Sequence, residues 1–292
     1  ILRKARTSLI MKTRLAIAMT LAALLAAFSA SAQIIPVEDQ KKFVDSLRNE
    51  FDNGPYFGLY KDNYFTVGTT LLPHQPPSKT NSDVKFQISI AQRLTKSKLP
   101  WNTFLFLMYT QKTFWNVFEE SLPMRDMNFN PGIGISKPFF NKDRYIGKLT
   151  MLLEHESNGK DGPDSRSWNR ISFSGSVIID DWLMVHGKVW IPIIDSQNNR
   201  DILKYCGIFQ HGIVVTTPNK KFSFALTLVK RASWKPNYNT IFEFSWLFHK
   251  KSNQYFFVQY YNGYGESLLD YNVFHSRLRA GIVIKPKFFS EF

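Results

Sequence analysis

Three features of the sequence predict an all-β protein, a twelve-stranded antiparallel transmembrane β-barrel. After residue 33, no apolar run approaches the ~20 residues that a membrane-spanning helix needs. From Tyr56 onward, segments of roughly ten residues alternate between apolar and polar positions, with polar or Gly- and Pro-containing turns between them. Aromatic residues make up 15% of the 292-residue chain, including 26 phenylalanines, as expected of a barrel with aromatic girdles at both membrane interfaces.

The N-terminal residues are typical of an export signal. Met11–Arg14 is short and basic, Leu15–Phe28 is apolar, and Ala30-Ser31-Ala32 fits the small-residue cleavage pattern, so the mature chain is predicted to begin at Gln33. An uncleaved anchor is the alternative, for which the apolar stretch is short. The predicted division of the chain is a signal peptide at 1–32 with an upstream extension at 1–10, a periplasmic N-terminal segment at 33–55 with a short helix at 37–51, and a catalytic barrel domain at 56–292.

Charge and cysteine content restrict the function further. Residues 1–32 hold five basic and no acidic residues, so cleavage lowers the net charge from +14 to +9. The remaining basic residues are scattered and no nucleic-acid-binding motif accompanies them, so we expect attraction to anionic lipid head groups and no nucleic-acid partner. The single Cys206 excludes an intramolecular disulfide and a cysteine metal cluster, and it is interpreted as a packed thiol.

The strands follow from the alternation and number twelve, which is even, as in bacterial outer-membrane barrels. The chain ends in Phe292, a terminal aromatic typical of such proteins. The predicted strands are 56–68, 83–93, 104–116, 127–137, 145–157, 168–180, 182–192, 205–217, 222–231, 238–248, 254–264 and 276–288.

Polar residues interrupt the lipid-facing stripe on two neighbouring strands. The period-2 geometry of a strand places His155 and Ser157 on the same face as Leu149, Met151 and Leu153. On the next strand, Asn169 begins the stripe that continues with Ile171 and Phe173. Polar groups facing lipid are costly unless they are satisfied, so this trio needs a reason. With both termini periplasmic, the fifth strand ends at the cell surface, which predicts a site facing the outer leaflet.

These residue types suit nucleophilic catalysis. A serine hydroxyl reacts when a neighbouring base accepts its proton, and His155 lies two positions from Ser157 on one face. Asn169, across the hairpin, is placed to orient the imidazole, with a neutral amide where an aspartate is commoner. Rim residues bonded to water are the alternative interpretation, because a His-x-Ser pair alone is a weak signal.

Longer motifs point to a known family. The segments Glu154-His155-Glu156-Ser157-Asn158-Gly159 and Asp164-Ser165-Arg166-Ser167-Trp168-Asn169-Arg170 resemble the active-site signature of the outer-membrane phospholipase A family. Further matches are Val84-Lys85-Phe86-Gln87, Tyr109-Thr110-Gln111-Lys112 and Tyr261-Asn262-Gly263-Tyr264-Gly265-Glu266-Ser267-Leu268. The resemblance runs from about residue 56 to the C-terminus and is looser over 196–250.

The resemblance implies an outer-membrane enzyme that hydrolyses the sn-1 and sn-2 acyl esters of phospholipids, requires calcium and is active as a homodimer. It assigns Ser157 as nucleophile, His155 as base and Asn169 as orienting residue, with the Gly159 amide binding the oxyanion. The implied calcium ligands are Ser121 of the partner subunit, Lys160 and Ser165, and the implied dimer contact is Gln111. Lys160 replaces a usual arginine, and Asn198 stands where a family acid supports a further calcium site.

Two other functions fit a barrel of this kind. One is a passive channel, and the other is a structural or adhesive barrel without activity. Inward-facing charged residues argue for a filled lumen, and the intact trio argues against loss of activity. The inward residues His186, Lys188, Glu243 and Glu154 are interpreted as a polar network inside the barrel.

Overall fold

The structure is a computed structural model. It describes residues 57–73, 75–96, 99–141, 144–193, 197–250 and 252–286, the side chains of residues 141 and 144 excepted. The predicted signal peptide, the segment 33–55 with its helix, and the terminal Phe292 lie outside these residues. Within the described ranges, no helix is both long and apolar enough to cross a membrane.

The described residues form one antiparallel sheet that closes on itself. In chain order the strands are β1 (Phe57–Leu59), β2 (Asn63–Thr70), β3 (Ser82–Arg93), β4 (Phe104–Trp115), β5 (Met124–Asn141), β6 (Arg144–Ser157), β7 (Ser167–Asp180), β8 (Leu183–Ile193), β9 (Phe209–Thr216), β10 (Phe222–Lys230), β11 (Tyr238–Leu247), β12 (Gln254–Gly263) and β13 (His275–Ile284). From β3 to β13 each strand pairs with the next, and β13 pairs with β2, which closes the barrel.

The first predicted strand is broken in two, so thirteen strands occupy twelve positions. Both β1 and β2 pair with β3, one against residues 90–92 and the other against residues 82–87. At the break, the Asn63 side chain accepts a hydrogen bond from the Ser89 backbone N–H (2.7 Å) and donates one to the Ser89 carbonyl (2.9 Å). An amide side chain thus replaces backbone pairing, and the predicted twelve-stranded barrel is confirmed.

The prediction of a strand over 205–217 is wrong at its start. Leu203–Cys206 forms a short helix, α1, and β9 begins only at Phe209. Gly207 ends the helix with a φ of 91°, which residues other than glycine rarely adopt. Beside α1, Ile202 packs into an apolar cluster with Trp168 and Trp190. The other predicted strands agree to within a few residues, except that β5 extends beyond 127–137 at both ends.

The wall of the barrel is apolar outside and polar inside, as its alternation predicts. On β6, Leu149 and Leu153 are 57% and 52% exposed, whereas Glu154 between lipid-facing positions is 2% exposed. Inside, Glu154 binds Lys188 at 2.6 Å and Arg170 at 3.1 Å. Exposed leucines around a buried carboxylate invert the pattern of a water-soluble domain and match a barrel that faces lipid.

Other inward groups extend this polar filling. Glu243 accepts a hydrogen bond from Gln259 at 2.7 Å, and Gln259 in turn accepts one from Lys85 at 2.7 Å. His186 is buried with its ring against Gly212, where an added Cβ would lie 2.5 Å from the imidazole. The four residues predicted to fill the lumen therefore lie inside the barrel: Glu154 and Lys188 in one cluster, Glu243 in a second, and His186 against Gly212.

The two ends of the barrel differ. We call the end where β6 stops and β7 starts the loop end, and the opposite end the turn end. At the loop end, the connection 264–274 between β12 and β13 folds inward, and Glu266 binds Arg279 (2.6 Å) and Lys85 (3.1 Å). Below it lies a cavity of about 590 Å³, into which Lys112 and Glu156 project. This connection fills the loop end of the lumen.

Candidate active site

The predicted trio lies on the outer wall at the loop end. His155 is the direct cross-strand partner of Asn169, and Ser157 is the partner of Ser167. The His155 Nδ1 and the Asn169 Oδ1 are 2.8 Å apart. Because an amide oxygen only accepts, Nδ1 must carry the proton in this hydrogen bond, which leaves Nε2 free to accept another. The hydrogen bonds of the described residues do not include one between His155 and Ser157, and such contacts often tighten only with substrate.

The backbone of His155 is held in an unusual way. The register of β5 with β6 places Pro131 opposite His155, and proline has no N–H to donate. The Asn130 side chain donates to the His155 carbonyl instead, at 2.7 Å. An amide side chain therefore takes over the missing ladder bond beside the imidazole. The strand pattern predicted no role for Asn130, although an Asn-Pro pair within a predicted strand is a recognisable irregularity.

The connection 158–166 carries the predicted oxyanion residue. Gly159 has a φ of 63°, a left-handed conformation that glycine adopts without strain, and a Cβ added there would lie 3.0 Å from Phe129. The neighbouring Asn158 is 2% exposed. Its side chain donates to the Asp164 carbonyl at 2.9 Å and accepts from the Arg166 N–H at 2.9 Å. Asn158 thus fixes the loop that presents the Gly159 amide.

A second buried amide holds the start of β7. Asn199 is fully buried, and its side chain bonds both the N–H (3.3 Å) and the carbonyl (2.9 Å) of Ser167. The adjacent Asn198 donates to the Gly162 carbonyl at 2.8 Å. Asn199 lies in the stretch where the family resemblance is loose, so its position could not be inferred from sequence. At 198, the amide is used as a donor and supplies no charge for a metal.

The predicted metal ligands lie on two connections of the loop end. Lys160 and Ser165 belong to the connection 158–166, whereas Ser121 is an exposed residue between β4 and β5 with a φ of 65°. Within the described ranges, no group of three or more His, Cys, Asp or Glu side chains is arranged to hold a metal. A backbone carbonyl and hydroxyls are oxygen ligands of the kind calcium accepts. They fit calcium in type, although calcium takes roughly 6–8 oxygen ligands, more than these three residues supply.

Beside the trio, the outer wall carries an apolar groove. Its volume is about 850 Å³, and it runs from His155 and Asn169 past Pro131 and Leu107 to Phe57. The groove is open to the surroundings of the barrel, so a molecule in the membrane reaches it from the side. An apolar chain placed there would have its end beside the imidazole.

Gln111 also faces outward, on β4. Within the single chain, its Oε1 accepts a hydrogen bond from the Tyr109 hydroxyl at 2.9 Å, and its Nε2 donates to Thr113 at 3.2 Å. The predicted contact across a dimer stays a prediction.

Burial raises the pKa of the Cys206 thiol to about 12, and Cys206 packs beside the cluster of Trp168 and Trp190, as a packed thiol should.

The barrel is closed, with an apolar exterior and a charged interior, as in transmembrane barrels of the outer-membrane type. Its outer wall also carries a serine, a histidine and an asparagine, which are the residue types of a serine hydrolase. The family model for phospholipase A1 matches residues 56–284. The chain belongs to the phospholipase A1 family.

Relatives with solved structures or high coverage agree with this membership. Phospholipase A1 of Salmonella typhimurium is 31% identical over 286 residues, covering 90% of this chain and 95% of that protein. Phospholipase A1 of Escherichia coli K12 is 33% identical over 216 residues, covering 70% of this chain and 71% of that protein. A structure of the Salmonella typhi outer membrane phospholipase dimer with bound calcium aligns with a TM-score of 0.69 at 28% identity, covering 82% of this chain and 96% of that chain. The outer membrane phospholipase A of Escherichia coli aligns with a TM-score of 0.67 at 26% identity, covering 78% and 93%.

Proposed function

We propose that this protein is a calcium-dependent phospholipase of the bacterial outer membrane that hydrolyses the sn-1 and sn-2 acyl esters of phospholipids. The observation that carries the proposal is the hydrogen bond between His155 and Asn169 on the lipid-facing wall, at the end of an apolar groove. The groove accommodates an acyl chain, and its open side admits substrate from the membrane. The loop end of the barrel faces the outer leaflet in this proposal.

The chemistry is acyl transfer to a serine. The Ser157 Oγ attacks the ester carbonyl carbon while the His155 Nε2 accepts the hydroxyl proton, and Asn169 holds the imidazole through Nδ1. The Gly159 N–H donates to the oxyanion, an interaction that contributes about 2.7–4 kcal/mol in comparable sites. As the ester C–O bond breaks, His155 returns the proton to the leaving alkoxide, which departs as lysophospholipid. Water, deprotonated by His155, then attacks the carbonyl carbon of the acyl-serine. The bond to the Ser157 Oγ breaks, His155 returns the proton to that oxygen, and the fatty acid is released.

Calcium, when bound, adds positive charge beside the developing oxyanion. We propose that Lys160, through its carbonyl, and Ser165 hold it in one chain, and that Ser121 of a second copy completes the oxygen ligands. A homodimer would then be the active form, with Gln111 at the contact. The calcium-bound dimer of the Salmonella typhi protein supports this arrangement.

Replacing the nucleophile tests the proposal directly. In Ser157→Ala, release of fatty acid from phospholipid vesicles should fall by about 10⁴-fold or more, because no other hydroxyl can replace the attacking group. Ser167→Ala is the matched control, since Ser167 is the cross-strand partner of Ser157 on the same face, and it should retain activity. Equal activity of the wild type and Ser157→Ala would refute the assignment.

A further inference from the structure

The turn end of the barrel is rich in exposed cations. Its described connections expose Lys96, Lys220, Lys221 and Lys250. The described acids at this end are Asp180, Asp181 and Asp62, the last paired with Lys285 at 3.1 Å. The catalytic trio lies at the opposite end, so this charge is not part of the active site. Basic residues near the membrane surface attract anionic lipids, each by about 1 kcal/mol.

One of these cations is held against the outer wall. The Lys221 Nζ lies 5.8 Å from the ring centroid of Phe222 and 5.8 Å from that of Trp246. The two rings belong to a cross-strand pair on β10 and β11, and Trp246 is 44% exposed. A cation within about 6 Å of an aromatic ring is attracted to it and loses freedom. The ammonium therefore lies on the lipid side, at the edge of the barrel.

The backbone around Lys221 is also fixed. Its carbonyl accepts a hydrogen bond from the Leu247 N–H at 2.8 Å, and its N–H donates to the Asn219 side chain at 2.9 Å. Its neighbour Lys220, by contrast, borders the cavity inside the barrel. Two adjacent lysines thus serve opposite sides of the wall.

The surroundings of Lys221 are those of a membrane interface. Towards the centre of the wall, Phe222 stacks on Phe244 with centroids 6.1 Å apart, and Phe242 beyond it is 40% exposed. Aromatic rings of this kind occupy head-group depth in barrels, with acyl chains against the apolar wall beyond them. A lipid placed here would meet a cation at its phosphate and apolar side chains along its tails.

We propose that Lys221, Phe222 and Trp246 form a binding site for a phospholipid with a net negative head group, such as phosphatidylglycerol, in the leaflet at the turn end. Charge complementarity selects this occupant, because a zwitterionic head group gains little from a net positive surface. The inference rests on the proposed embedding of the barrel in a membrane but not on hydrolysis. It gives the turn end a lipid preference of its own.

Lipid binding by the full chain tests the site. The protein is refolded in detergent with a chelator, in a Ser157→Ala background that keeps the lipid intact, and is titrated with phosphatidylglycerol or phosphatidylcholine under native mass spectrometry. The unaltered surface should bind phosphatidylglycerol more tightly than phosphatidylcholine. Lys221→Gln should weaken phosphatidylglycerol binding by about fivefold, the equivalent of about 1 kcal/mol, and leave phosphatidylcholine binding unchanged.

The matched control is Lys220→Gln, which removes the same charge one residue away but from the cavity side. It should weaken phosphatidylglycerol binding less than Lys221→Gln does. An equal loss in both variants would mean that net charge alone attracts the lipid, and no loss in Lys221→Gln would remove the site. A change in the proportion of dimers, without a change in bound lipid, would mean that a second copy of this chain occupies the surface. Lysophospholipid in the spectra would contradict the role of Ser157 and leave the lipid comparison readable.

Discussion

At the scale of single residues, the support of the His155 backbone decides how well the imidazole is placed. Pro131 faces His155 without an N–H, and the Asn130 side chain donates to the His155 carbonyl in its stead. The hydrogen bond lies one residue from the inward Glu154 and two from Ser157. Its loss would free the segment of β6 that carries His155 and Ser157.

We predict that Asn130→Ala lowers kcat by about threefold to tenfold, because a hydrogen bond contributes about 0.5–1.5 kcal/mol and 1.36 kcal/mol equals a factor of ten. The double variant Asn130→Ala/Pro131→Ala restores a backbone N–H opposite His155 and should recover part of the loss. Hydrolysis of a short-chain ester in detergent measures both.

Ser136→Ala is the matched control for this prediction. The Ser136 hydroxyl donates to the Leu149 carbonyl at 3.3 Å, so it joins the same two strands away from the site. It should leave kcat unchanged. If Asn130→Ala and Ser136→Ala changed kcat equally, the effect would belong to the strand pair and not to His155.

The residues also show how far sequence reaches. Alternation placed His155, Ser157 and Asn169 on one outer face, because a strand has a strict period of two. It gave no place to Asn130, Asn158 or Asn199, whose side chains substitute for backbone partners. Whether a side chain takes the place of a backbone partner depends on where the neighbouring strand ends or lacks an N–H. That is a property of the folded sheet.

At the scale of elements, the connection 264–274 is fastened by buried charge. Glu266 is 2% exposed and binds Arg279 and Lys85. Burial opposes its ionisation, yet the charges of Arg279 and Lys85 hold the pKa of Glu266 well below its usual value of 4.5. One element, the short helix α1, also differs from the sequence-based prediction. The strand expected at 205 is a helix because Gly207 and the packing of Ile202 override the local alternation.

We predict that Glu266→Gln lowers the free energy of unfolding by about 3–5 kcal/mol, since it leaves the buried Arg279 without one of its carboxylates. A depressed folded pKa adds stability above the unfolded value near 4.5, and this is lost as the pH falls towards the folded pKa. The free energy of unfolding of the wild type should therefore decrease at pH values below about 4.5. Denaturant unfolding in detergent across pH measures both effects.

Glu243→Gln is the control for this prediction, because the partner of Glu243 is the neutral Gln259. It should cost less than Glu266→Gln, and its unfolding curve should keep the acid dependence of the wild type. If Glu266→Gln kept that dependence in full, the assignment of the acid loss to Glu266 would fail.

At the scale of the whole molecule, the proposed dimer supplies the calcium ligand that one chain lacks. We predict that removal of calcium by a chelator both abolishes hydrolysis and shifts the protein towards monomers in analytical ultracentrifugation. Gln111→Ala should weaken the dimer by about 0.6–2 kcal/mol, the range of polar contacts between membrane segments.

Gln254→Ala provides the comparison, since Gln254 is an exposed amide on β12, away from β4. It should leave both the dimer and the activity unchanged. Full activity of a monomer, or hydrolysis that persists in chelator, would contradict the shared calcium site. The barrel could be predicted from the sequence, because the number of strands and their alternation of apolar and polar residues indicate it. The association of two barrels could not, because it depends on how two outer surfaces fit together.

The groove beside His155 opens sideways on the outer wall, and this fixes the variable that governs the rate. Substrate arrives by diffusion within a two-dimensional film, so the quantity that saturates the enzyme is the fraction of molecules in that film that are phospholipid. Amounts per volume of buffer do not enter. Adding an inert amphiphile at constant phospholipid should slow the reaction as sharply as removing substrate, although every bulk concentration of lipid stays the same.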